Sequence, residues 1–561
     1  MDIKNFPKTL NDFLEKMVEK HENKPFVGKF SEESLTYGEF FERVRRVAEM
    51  LFEKGIIKGD KVAILGENSP NWGIAYFSII RLGAIAVPIL PDFPQTDIRH
   101  ILIDAEVKLI FTTEKQYEKI VDIKSSKLGT IITLDDFSTE SKNLNMENIS
   151  DLLDTAIYFF KKIPESIGFK PCEITENDVV SIIYTSGTSG HSKAVMLSHK
   201  NFMAEIWAIN KLIIMESDEV FVSILPLSHT YEFTVGFLLC IIGGGRTVYI
   251  DKIPTPRILE KICKRDKPTI ICSVPLILEK IYKKKVLRTI DSSRLLKLAI
   301  KIPGFKKKIY SKIKDRLIDF FGGRLKIIAV GGASFNSEAE AFYRISGFPY
   351  LIGYGLTETA PLIAGGPFLD KSIKLSSTGK VISGGEIKID KPDKKTGIGE
   401  ILYRGNNLMV GYYKNEELTK TVIDENGWFN TGDLGKIDKY DNLYIRGRSK
   451  SMILLSNGEN IYPEIIEAKL NACLFVIESL VIEQSNRLEA WIYLDYELID
   501  ERTRGKNELQ RKKFIKGELN KIKIKVNEQL SSFSKISAVI EQQEAFVKTA
   551  THKIKRYLYS H

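Results

Sequence analysis

The sequence lacks the features of a disulfide-stabilised or membrane-spanning protein. Its five cysteines form no CxxC pair and no even framework, and the first thirteen residues contain no apolar signal core. The longest apolar stretch, residues 74–90, is interrupted by Arg81, Gly83 and Pro88, and residues 233–242 make a run of only ten. A membrane-spanning helix needs about 20 apolar residues. These absences argue against a secreted disulfide scaffold and a transmembrane protein, and we expect a cytoplasmic location.

Internal repeats and low-complexity tracts are also absent, and acidic residues are outnumbered. The chain has 82 Lys and Arg against 72 Asp and Glu, a net charge of +10. That charge alone is compatible with nucleic acid, anionic lipid or acidic ligands as partners. With 561 residues and 43% hydrophobic content, the chain can bury sizeable cores. We therefore expect a globular protein of three or four domain-sized units.

The N-terminal part alternates helical and strand patterns. Residues 36–54 carry apolar side chains at helical spacing, with charges between them. The segments KGDKVAIL and AIAVPIL are typical of buried strands, and the apolar segment 72–82 separates them. Strand, helix and strand in this order predict a parallel α/β sheet. Residues 135–175 are polar and weakly periodic, so we expect a surface excursion that returns to the core at Asn177.

Residues 179–201 carry the strongest local signal. Val179 to Tyr184 is a β-branched run, residues 185–192 form a loop rich in Gly, Ser and Thr, and a helix start follows. Small residues let backbone N–H groups converge on an anion, and Lys193 adds a cation. The spacing differs from the common NTPase loop, because Gly187, Gly190 and Lys193 are each three apart. The pattern predicts a phosphate-binding loop, and the alternative is an ordinary strand-turn-helix connection.

Three further motifs follow in order: GYGLTETAP at 353–361, GWFNTGDLGKID at 427–438 with GRSKSMILLSNGENIYPEIIE at 447–467, and KTATHKIKR at 548–556. Together with YTSGTSGHSKAVMLSH at 184–199, they resemble the adenylate-forming superfamily of acyl-CoA synthetases, luciferases and nonribosomal adenylation domains. The resemblance spans essentially the whole chain. It implies an α/β fold with a large N-terminal domain of stacked α/β sheets plus a β-barrel-like subdomain, and a small mobile α+β C-terminal domain. The implied boundaries are 1–447 for the adenylation domain, 448–451 for the hinge and 452–561 for the mobile domain.

The resemblance also implies a nucleotide site. Tyr354 offers a ring face to adenine, and glycines at strand ends let the flat base lie against backbone. By resemblance, Glu358 holds Mg²⁺ with Thr185 or Thr188, and Asp433 binds the ribose hydroxyls. The residues expected to contact ATP or AMP are Thr185, Ser186, Gly187, Thr188, Ser189, Gly190, Lys193, Gly331, Gly332, Ala333, Tyr354, Gly355, Thr357, Asp433 and Arg448.

The segment LPLSHTYEFTVGFLL at 225–239 is the expected acyl site. In the superfamily, a histidine or aromatic residue at the position of His229 lies beside the acyl carboxylate, and the LPLSH-x-x-E form resembles long-chain acyl-CoA synthetases. Tyr231, Phe233 and Gly236 are then candidates for an acyl tunnel. The alternative for His229 is a structural histidine, and the alternative for the apolar residues is a plain buried helix.

The C-terminal part supplies the remaining candidates. Two strands, at 474–483 and 488–496, and a helical stretch at 499–531 are expected beyond the hinge. By resemblance, Lys553 is the catalytic lysine of the first half-reaction, Lys450 is the hinge residue, and Gly458 lines the pantetheine tunnel of coenzyme A. The family's usual residues are replaced at four positions, namely Ser192, Ala194, Ala550 and His552. The alternative for Lys553 is one more lysine in a basic tail.

These observations predict an enzyme that uses ATP and Mg²⁺ to convert a long-chain fatty acid to acyl-AMP with release of pyrophosphate, and then forms a thioester with coenzyme A. Acyl carrier protein is an alternative acceptor, because its phosphopantetheine arm presents the same thiol. A homologue that binds acyl or nucleotide ligands without catalysis is a further alternative. Ser198 and His199 lack a spaced acid partner, so no catalytic triad is expected.

Basic residues are concentrated at 280–316. This segment has fourteen Lys and Arg against two Asp, so its net charge is 14 − 2 = +12. Phe305, Ile309, Ile313 and Leu317 recur every four residues, which is the pattern of an amphipathic helix. We expect this helix to lie on an anionic membrane surface. The alternative is a solvated helical insertion, and nothing else in the chain suggests a nucleic-acid partner.

Overall fold

The computed structural model describes residues 6–30, 32–123, 127–140, 172–185, 192–250, 255–291, 293–367, 369–454, 460–485, 487–549 and 553–559. Most of the excursion predicted at 135–175 lies outside these ranges.

An eight-stranded mixed sheet confirms the predicted parallel α/β arrangement. Strands Lys61–Leu65 and Ile85–Ile89 pair in parallel, and helix Pro70–Arg81 connects them. Both strands are rich in Val, Ile and Ala and almost wholly buried, as expected of a sheet covered on both faces. The strands lie in the spatial order Gly411–Tyr412, Lys193–Ser198, Val179–Thr185, Ile85–Ile89, Lys61–Leu65, Leu109–Thr112, Thr130–Thr133 and Thr139–Glu140.

A nine-stranded sheet forms the second layer, and its central strands are parallel. Strands Ile327–Val330 and Tyr350–Gly355 are neighbours in it, so the glycine-containing segments that follow them start at the same edge. The spatial order is Lys380–Val381, Leu362–Pro367, Tyr350–Gly355, Ile327–Val330, Ile270–Ser273, Val220–Ser223, Arg246–Tyr249, Pro25–Lys29 and Leu35–Thr36.

Helices pack on these sheets through apolar stripes. Helix Tyr37–Glu53 begins at a capping box formed by Thr36 and Glu39, and it buries Phe40, Val44 and Leu51. The α-helices of the described chain are Leu10–His21, Tyr37–Glu53, Pro70–Arg81, Gln95–Asp104, Glu114–Tyr117, His199–Leu212, Leu239–Gly243, Pro256–Asp266, Pro275–Ile281, Arg288–Asp291, Arg294–Ala299, Pro303–Phe320, Ser337–Ser346, Glu416–Val422, Pro463–Asn471, Tyr496–Arg502 and Glu508–Asn527. Two π-helices, Glu232–Leu238 and Tyr282–Leu287, and 3₁₀ turns at Thr357–Thr359, Ser449–Ser451, Ser532–Ser534 and Arg556–Leu558 complete the helical elements.

A four-stranded antiparallel sheet corresponds to the predicted barrel-like subdomain. Its strands are Gly385–Asp390, Gly399–Gly405, Phe429–Ile437 and Leu443–Arg448, in that order. Strands Ile453–Leu454 and Asn460–Ile461 form a small ribbon after it.

The C-terminal α+β unit contains one more strand than predicted. The two expected strands are Val476–Gln484 and Arg487–Leu494, and they pair antiparallel. A third strand, Ile536–Gln542, pairs in parallel with Arg487–Leu494. The expected helical stretch at 499–531 is divided into Tyr496–Arg502 and Glu508–Asn527. Only Ile536 of the added strand is buried, so its apolar pattern is weak.

The prediction that a helix directly follows the phosphate loop is wrong. Strand Lys193–Ser198 pairs antiparallel with Val179–Thr185, and helix His199–Leu212 begins only after it. Residues Ala194 to Leu197 are all apolar and include no turn-forming residue, so they continue the sheet as a mostly buried strand.

The apolar face predicted for the membrane is mostly occupied. In helix Pro303–Phe320, Ile313 and Leu317 are buried in a core cluster and Ile309 is partly buried against it, whereas Phe305 is 58% exposed. The interpretation of this helix as a free amphipathic surface is therefore wrong for three of its four apolar residues. Within the described ranges, no helix is long and apolar enough to cross a membrane.

Candidate active site

The phosphate loop is held between two paired strands. Thr185 and Lys193 are register partners, and the Thr185 hydroxyl donates to the Lys193 carbonyl at 3.4 Å. The two strands therefore fix both ends of the loop. Its central residues, Ser186, Gly187, Thr188, Ser189 and Gly190, lie outside the described residues, so their expected contacts with phosphate stay predictions.

Lys193, Tyr412 and Glu358 form a chain of polar contacts beside the loop. The Lys193 ammonium lies 3.4 Å from the Tyr412 hydroxyl and 5.0 Å from the centre of its ring. The same hydroxyl donates to Glu358 Oε1 at 2.9 Å. Burial lowers the pKa of Lys193, the Glu358 charge opposes that effect, and Lys450 and Arg448 add to it. These contacts thus bring the Lys193 ammonium and the Glu358 carboxylate close together through Tyr412.

Tyr412 was not among the site residues predicted from the sequence. It belongs to the two-residue strand Gly411–Tyr412, which pairs antiparallel with Lys193–Ser198 at the edge of the eight-stranded sheet. Some 220 residues separate it from the phosphate loop, and no motif links the two.

Tyr354, Asp433 and Arg448 form a second polar group. The Tyr354 hydroxyl donates to Asp433 Oδ2 at 2.8 Å, and Arg448 Nε lies 3.2 Å from Asp433 Oδ1. Asp433 and Arg448 are register partners on adjacent strands, so the sheet itself sets their separation. Burial raises the pKa of Tyr354, and the Asp433 charge adds to this effect. The structure therefore brings together three residues that were predicted to contact one nucleoside.

The glycine-containing segments lie at the ends of strands Ile327–Val330 and Tyr350–Gly355. Gly331 is buried, and Gly332 and Ala333 are exposed. At Gly355, an added Cβ would come within 1.8 Å of the Pro361 carbonyl oxygen, so only glycine fits there. Thr357 and Glu358 follow in the 3₁₀ turn Thr357–Thr359, and Met409 N–H donates to the Glu358 carbonyl at 2.8 Å.

Lys553, from the last ten residues of the chain, reaches the same region. The Lys553 side chain is exposed at the surface. The protein around it nevertheless partly desolvates the ammonium and so lowers its pKa. The Arg448 charge lowers this pKa further, and Asp433 and Glu358 oppose the shift. Lys553 therefore interacts with members of both polar groups described above.

His229 lies near Lys553 in the fold, although the two residues are far apart in the sequence. Burial lowers the pKa of His229 to about 4, and the Lys553 charge contributes. The imidazole is therefore neutral at pH 7. Its Nδ1 accepts from the Tyr231 backbone N–H at 3.2 Å, which leaves the proton on Nε2. A neutral imidazole with a free Nε2–H can donate to a substrate carboxylate.

The three candidate acyl-tunnel residues have different surroundings. Tyr231 is half-buried; its hydroxyl donates to the Ser273 carbonyl at 3.5 Å, and its ring would contact a Cβ at Gly331. Phe233 packs in the main core, with its ring centre 4.4 Å from that of Tyr76. Gly236 is buried, and an added Cβ would come within 2.5 Å of Glu232 Oε1. Tyr231 alone of the three lies beside a predicted nucleotide-site residue, Gly331, and the tunnel stays a prediction.

Glu232 is a buried carboxyl group at the start of the π-helix Glu232–Leu238. Burial raises its pKa to about 8, and the nearby Ser223 hydroxyl and Leu225 N–H only partly oppose this effect. The motif LPLSH-x-x-E contains this residue, but its burial follows from the tertiary fold. A neutral carboxylic acid therefore lies three residues from His229.

The hinge candidates are exposed or undescribed. Lys450 is exposed in the 3₁₀ turn Ser449–Ser451, which directly follows strand Leu443–Arg448. Gly458 lies outside the described residues. The hydrophobic cluster of the C-terminal unit begins at Ile461, with Ile453 packed against it. These facts are compatible with a hinge at 448–451, which stays a prediction.

Glu358 and Thr185 are the candidate magnesium ligands. Within the described chain, no group of three or more His, Cys, Asp or Glu side chains could hold a metal by itself. Mg²⁺ usually binds one or two carboxylates together with water and substrate phosphates. A single carboxylate beside a phosphate loop is consistent with this mode of Mg²⁺ binding.

Ser198 and His199 have structural roles. The Ser198 side chain accepts from Asn201 N–H and caps helix His199–Leu212. His199 Nδ1 accepts from the Leu10 N–H at 3.1 Å, and burial lowers the pKa of His199 to about 4. This agrees with the expectation that the pair is not part of a triad.

Comparison with known proteins gives matches over nearly the whole chain. The family model described as "AMP-binding enzyme" matches residues 14–413. Long-chain-fatty-acid–CoA ligase heimdall of Drosophila melanogaster is 29% identical over 523 aligned positions, which cover 86% of this chain and 75% of that protein. Long chain acyl-CoA synthetase 2 of Arabidopsis thaliana is 26% identical over 606 aligned positions, which cover 97% of this chain and 89% of that protein.

Two solved structures illustrate the shared fold. The anthranilate CoA ligase AuaEII in complex with anthranoyl-AMP aligns with a TM-score of 0.78 at 20% identity, covering 100% of this chain and 98% of its own. ATP-bound MatB from Rhodopseudomonas palustris aligns with a TM-score of 0.74 at 22% identity, covering 98% of each chain. Both likenesses extend over the N-terminal sheets and the C-terminal unit.

Proposed function

Because the chain belongs to the AMP-binding enzyme family, we propose that it is an AMP-forming acid–thiol ligase that activates a long-chain fatty acid with ATP and transfers the acyl group to coenzyme A. The observation that carries this proposal is the position of Lys553, which interacts with Arg448, Asp433 and Glu358 across more than 100 residues of sequence. Relatives named as long-chain acyl-CoA synthetases and ligases, at 26–29% identity, support the substrate class.

In the first half-reaction, a carboxylate oxygen of the acid attacks the α-phosphorus of ATP. The new P–O bond makes acyl-AMP, and the bond to the β-phosphate oxygen breaks with its electron pair to release pyrophosphate. Two anions must meet, so stabilisation of charge is the main requirement. The Lys553 and Lys193 ammonium groups provide positive charge, and His229 Nε2–H can orient the carboxylate.

The nucleoside is held by the second polar group. We infer that Asp433 accepts from the ribose hydroxyls and that Arg448, its strand neighbour, reaches the same sugar. Tyr354 presents its ring to the adenine while its hydroxyl stays bonded to Asp433 at 2.8 Å. This arrangement couples base and ribose recognition, because Asp433 is fixed from two sides before the nucleotide binds.

Magnesium is part of the proposal. Glu358, with Thr185 at the end of the phosphate loop, would hold the ion against the phosphates of ATP. The bound ion would neutralise charge on the leaving pyrophosphate. The hydrogen bond from Tyr412 to Oε1 orients the Glu358 carboxylate toward that role.

In the second half-reaction, the thiol of coenzyme A attacks the acyl carbon and AMP leaves. We propose that the unit after 451 rotates at Lys450 so that Lys553 withdraws and the segment with Gly458 lines the thiol channel. Replacing Lys450 by Pro restricts φ at the hinge. We expect Lys450→Pro to form acyl-AMP and pyrophosphate near the parental rate but to form thioester at least 10-fold more slowly. Normal overall turnover by this variant would contradict the hinge assignment.

The acceptor and chain length are tested together. Pyrophosphate release and thioester yield are measured over a series of fatty acids, with coenzyme A and acyl carrier protein supplied separately. We expect release to peak at long chains and thioester to form with coenzyme A. Thioester on acyl carrier protein alone would establish the alternative acceptor, and absence of pyrophosphate with every acid would indicate a binding homologue.

A long-chain acid is poorly soluble in water, and the segment 280–316 carries a net charge of +12. We therefore propose that the enzyme, in the cytoplasm, meets its substrate at an anionic membrane surface.

A further inference from the structure

Four large apolar side chains are exposed within eleven consecutive residues. Leu295, Leu298, Ile302 and Phe305 are 79%, 62%, 54% and 58% exposed. Leu295 and Leu298 are one turn apart on helix Arg294–Ala299, and Ile302 and Phe305 lie at the start of helix Pro303–Phe320. Scattered exposed apolar residues are ordinary, but a contiguous group of this size marks an interaction site. Residues 294–308 are called the basic apolar surface below.

The local structure holds these side chains outward. Ser293 caps helix Arg294–Ala299, and this helix buries none of its residues. Backbone hydrogen bonds from Lys301 to Leu298 and from Ile302 to Ala299 lead directly into helix Pro303–Phe320. That second helix is anchored by Tyr310, Ile313 and Leu317 in the core. The exposed apolar group is therefore presented on an ordered support.

The positive charge of the basic apolar surface, together with its apolar side chains, indicates which kind of partner it fits. Residues 294–308 contain six Lys and Arg and no Asp or Glu. Lys307 and Lys308 are exposed, and the Lys306 ammonium lies 5.6 Å from the centre of the Tyr310 ring. Nucleic acid would match the charge but not the apolar side chains. A second copy in a two-fold dimer would place the same positive surface against itself.

An anionic bilayer matches both properties. Apolar side chains enter the boundary between head groups and acyl chains, and Lys and Arg stay at the level of the lipid phosphates. We propose that the basic apolar surface docks this enzyme on anionic phospholipid membranes by inserting Leu295, Leu298, Ile302 and Phe305. This inference rests on the proposed function, in which the substrate is a long-chain acid that partitions into membranes.

The test is sedimentation of the full chain with vesicles, without substrates. Vesicles contain either phosphatidylcholine alone or about three parts of it to one part phosphatidylglycerol. One variant carries Leu295→Ser, Leu298→Ser, Ile302→Ser and Phe305→Ser, and its control carries Ile214→Ser and Leu509→Ser, which are 79% and 78% exposed elsewhere. A second variant carries Lys306→Gln, Lys307→Gln and Lys308→Gln, and its control changes the exposed Lys391, Lys394 and Lys395 to Gln.

We expect the parent and both controls to bind the anionic vesicles and to be released at about 1 M salt, where the Debye length is only about 3 Å. The serine variant should bind at least 10-fold more weakly, and the glutamine variant roughly 100-fold more weakly at low salt. Equal binding by variants and controls, or equal binding of the parent to uncharged vesicles, would overturn the proposal. So would a parent that binds no vesicles but forms dimers that the serine variant cannot form.

The same proteins are assayed for pyrophosphate release with a detergent-dispersed acid and no vesicles. We expect equal rates, because the four exposed apolar residues are not among the candidate site residues. If the parent releases no pyrophosphate, the proposed function is refuted. The vesicle-binding result can still be interpreted, because that measurement uses no substrates.

Discussion

Lys553 adds a third cation to a site that already contains Lys193 and Arg448. Such an arrangement is unfavourable without a ligand, since burial and Arg448 both lower the pKa of Lys553. A triphosphate reverses the balance, because three cations then face several negative oxygens. The residue is thus suited to stabilise charge that develops only when ATP and the acid are both bound.

Lys553→Ala should abolish most acyl-adenylate formation and spare thioester formation from supplied acyl-AMP. One such donor contributes about 3 to 4 kcal/mol, or roughly 10² to 10³ in rate. The two half-reactions are measured separately, with Lys555→Ala as the control from the same basic tail. Because the pKa of Lys553 is lowered, the parental adenylation rate should also fall at a lower alkaline pH than an ordinary lysine would give. Equal losses in both half-reactions would refute the assignment.

Tyr412→Phe should raise the magnesium requirement for pyrophosphate release. The change removes the hydroxyl that donates to Glu358 but keeps the ring beside Lys193. A hydrogen bond to a charged group contributes about 1.5 to 3 kcal/mol, so we expect roughly a 10- to 100-fold loss at limiting magnesium. Glu358→Gln should have the larger effect, and Tyr413→Phe serves as the control. An unchanged magnesium titration in both active-site variants would show that the metal binds elsewhere.

At the scale of elements, the π-helix Glu232–Leu238 connects His229, the candidate acyl-site residue, to the core. π-Helical turns are rare and often occur at functional sites. This one starts at Glu232, follows His229 by three residues, and packs Phe233 against Trp72, Tyr76 and Phe202. The element therefore anchors the histidine loop in the main core while it keeps a neutral carboxylic acid next to that loop.

Glu232→Gln should change the dependence of stability on pH. Below pH about 4.5 the glutamate is protonated in both folded and unfolded states, and above about 8 it is ionised in both. Between these values only the unfolded chain loses the proton, so rising pH favours unfolding of the parent. From pH 5 to pH 8 the variant should gain roughly 4 kcal/mol relative to the parent.

Urea unfolding of parent and variant, followed across this pH range, measures the effect of Glu232. We expect the two midpoints to be similar near pH 5 and the variant's to be higher at pH 8. Curves that stay parallel from pH 5 to pH 8 would contradict a buried neutral carboxyl group.

At the scale of the whole molecule, polar contacts link the N-terminal part of the chain to the C-terminal unit. The half-buried Lys283 ammonium donates to the carbonyls of Asn471 and Val476, at 2.6 and 2.9 Å. Burial lowers the pKa of Lys283, and the Glu279 charge opposes that shift. By contrast, the Arg288–Glu501 pair is exposed on both sides and contributes little. Among the described residues, Lys283 thus makes two hydrogen bonds to the C-terminal unit, in addition to the contacts Asn336–Ala468 and Lys525–Glu338.

Lys283→Met should weaken this arrangement, because it keeps the apolar stem but leaves two carbonyls without their donor. We expect the rate of acyl-AMP formation to fall by roughly 10-fold, with a smaller effect on thioester formation from supplied acyl-AMP. Trypsin cleavage at Arg448 and Lys450 should become faster in the absence of ligands. Arg288→Met is the control and should differ little from the parent. A variant with parental cleavage and both half-reactions intact would refute this role.

Local residue order was enough to predict the parallel pair at 61–89, because strand, helix and strand are neighbours in the sequence. The close Pro361 carbonyl that requires glycine at 355 was not predicted, because it depends on the backbone conformation of the fold. The sequence also placed Asp433, Arg448, Glu358 and Lys553 in recognisable motifs. The resemblance of these motifs to the adenylate-forming superfamily implied ribose, metal and phosphate contacts.

Which side chains meet and which are buried depends on the packing of the whole chain. It brought Tyr412 to Glu358, covered Ile313 and Leu317 while leaving Leu295 and Phe305 exposed, and raised the pKa of Glu232. Periodicity shows that a helix has an apolar face, but it does not show whether that face has a partner in the fold. Burial and pKa depend on neighbours that are distant in sequence, and only the packed chain supplies those neighbours.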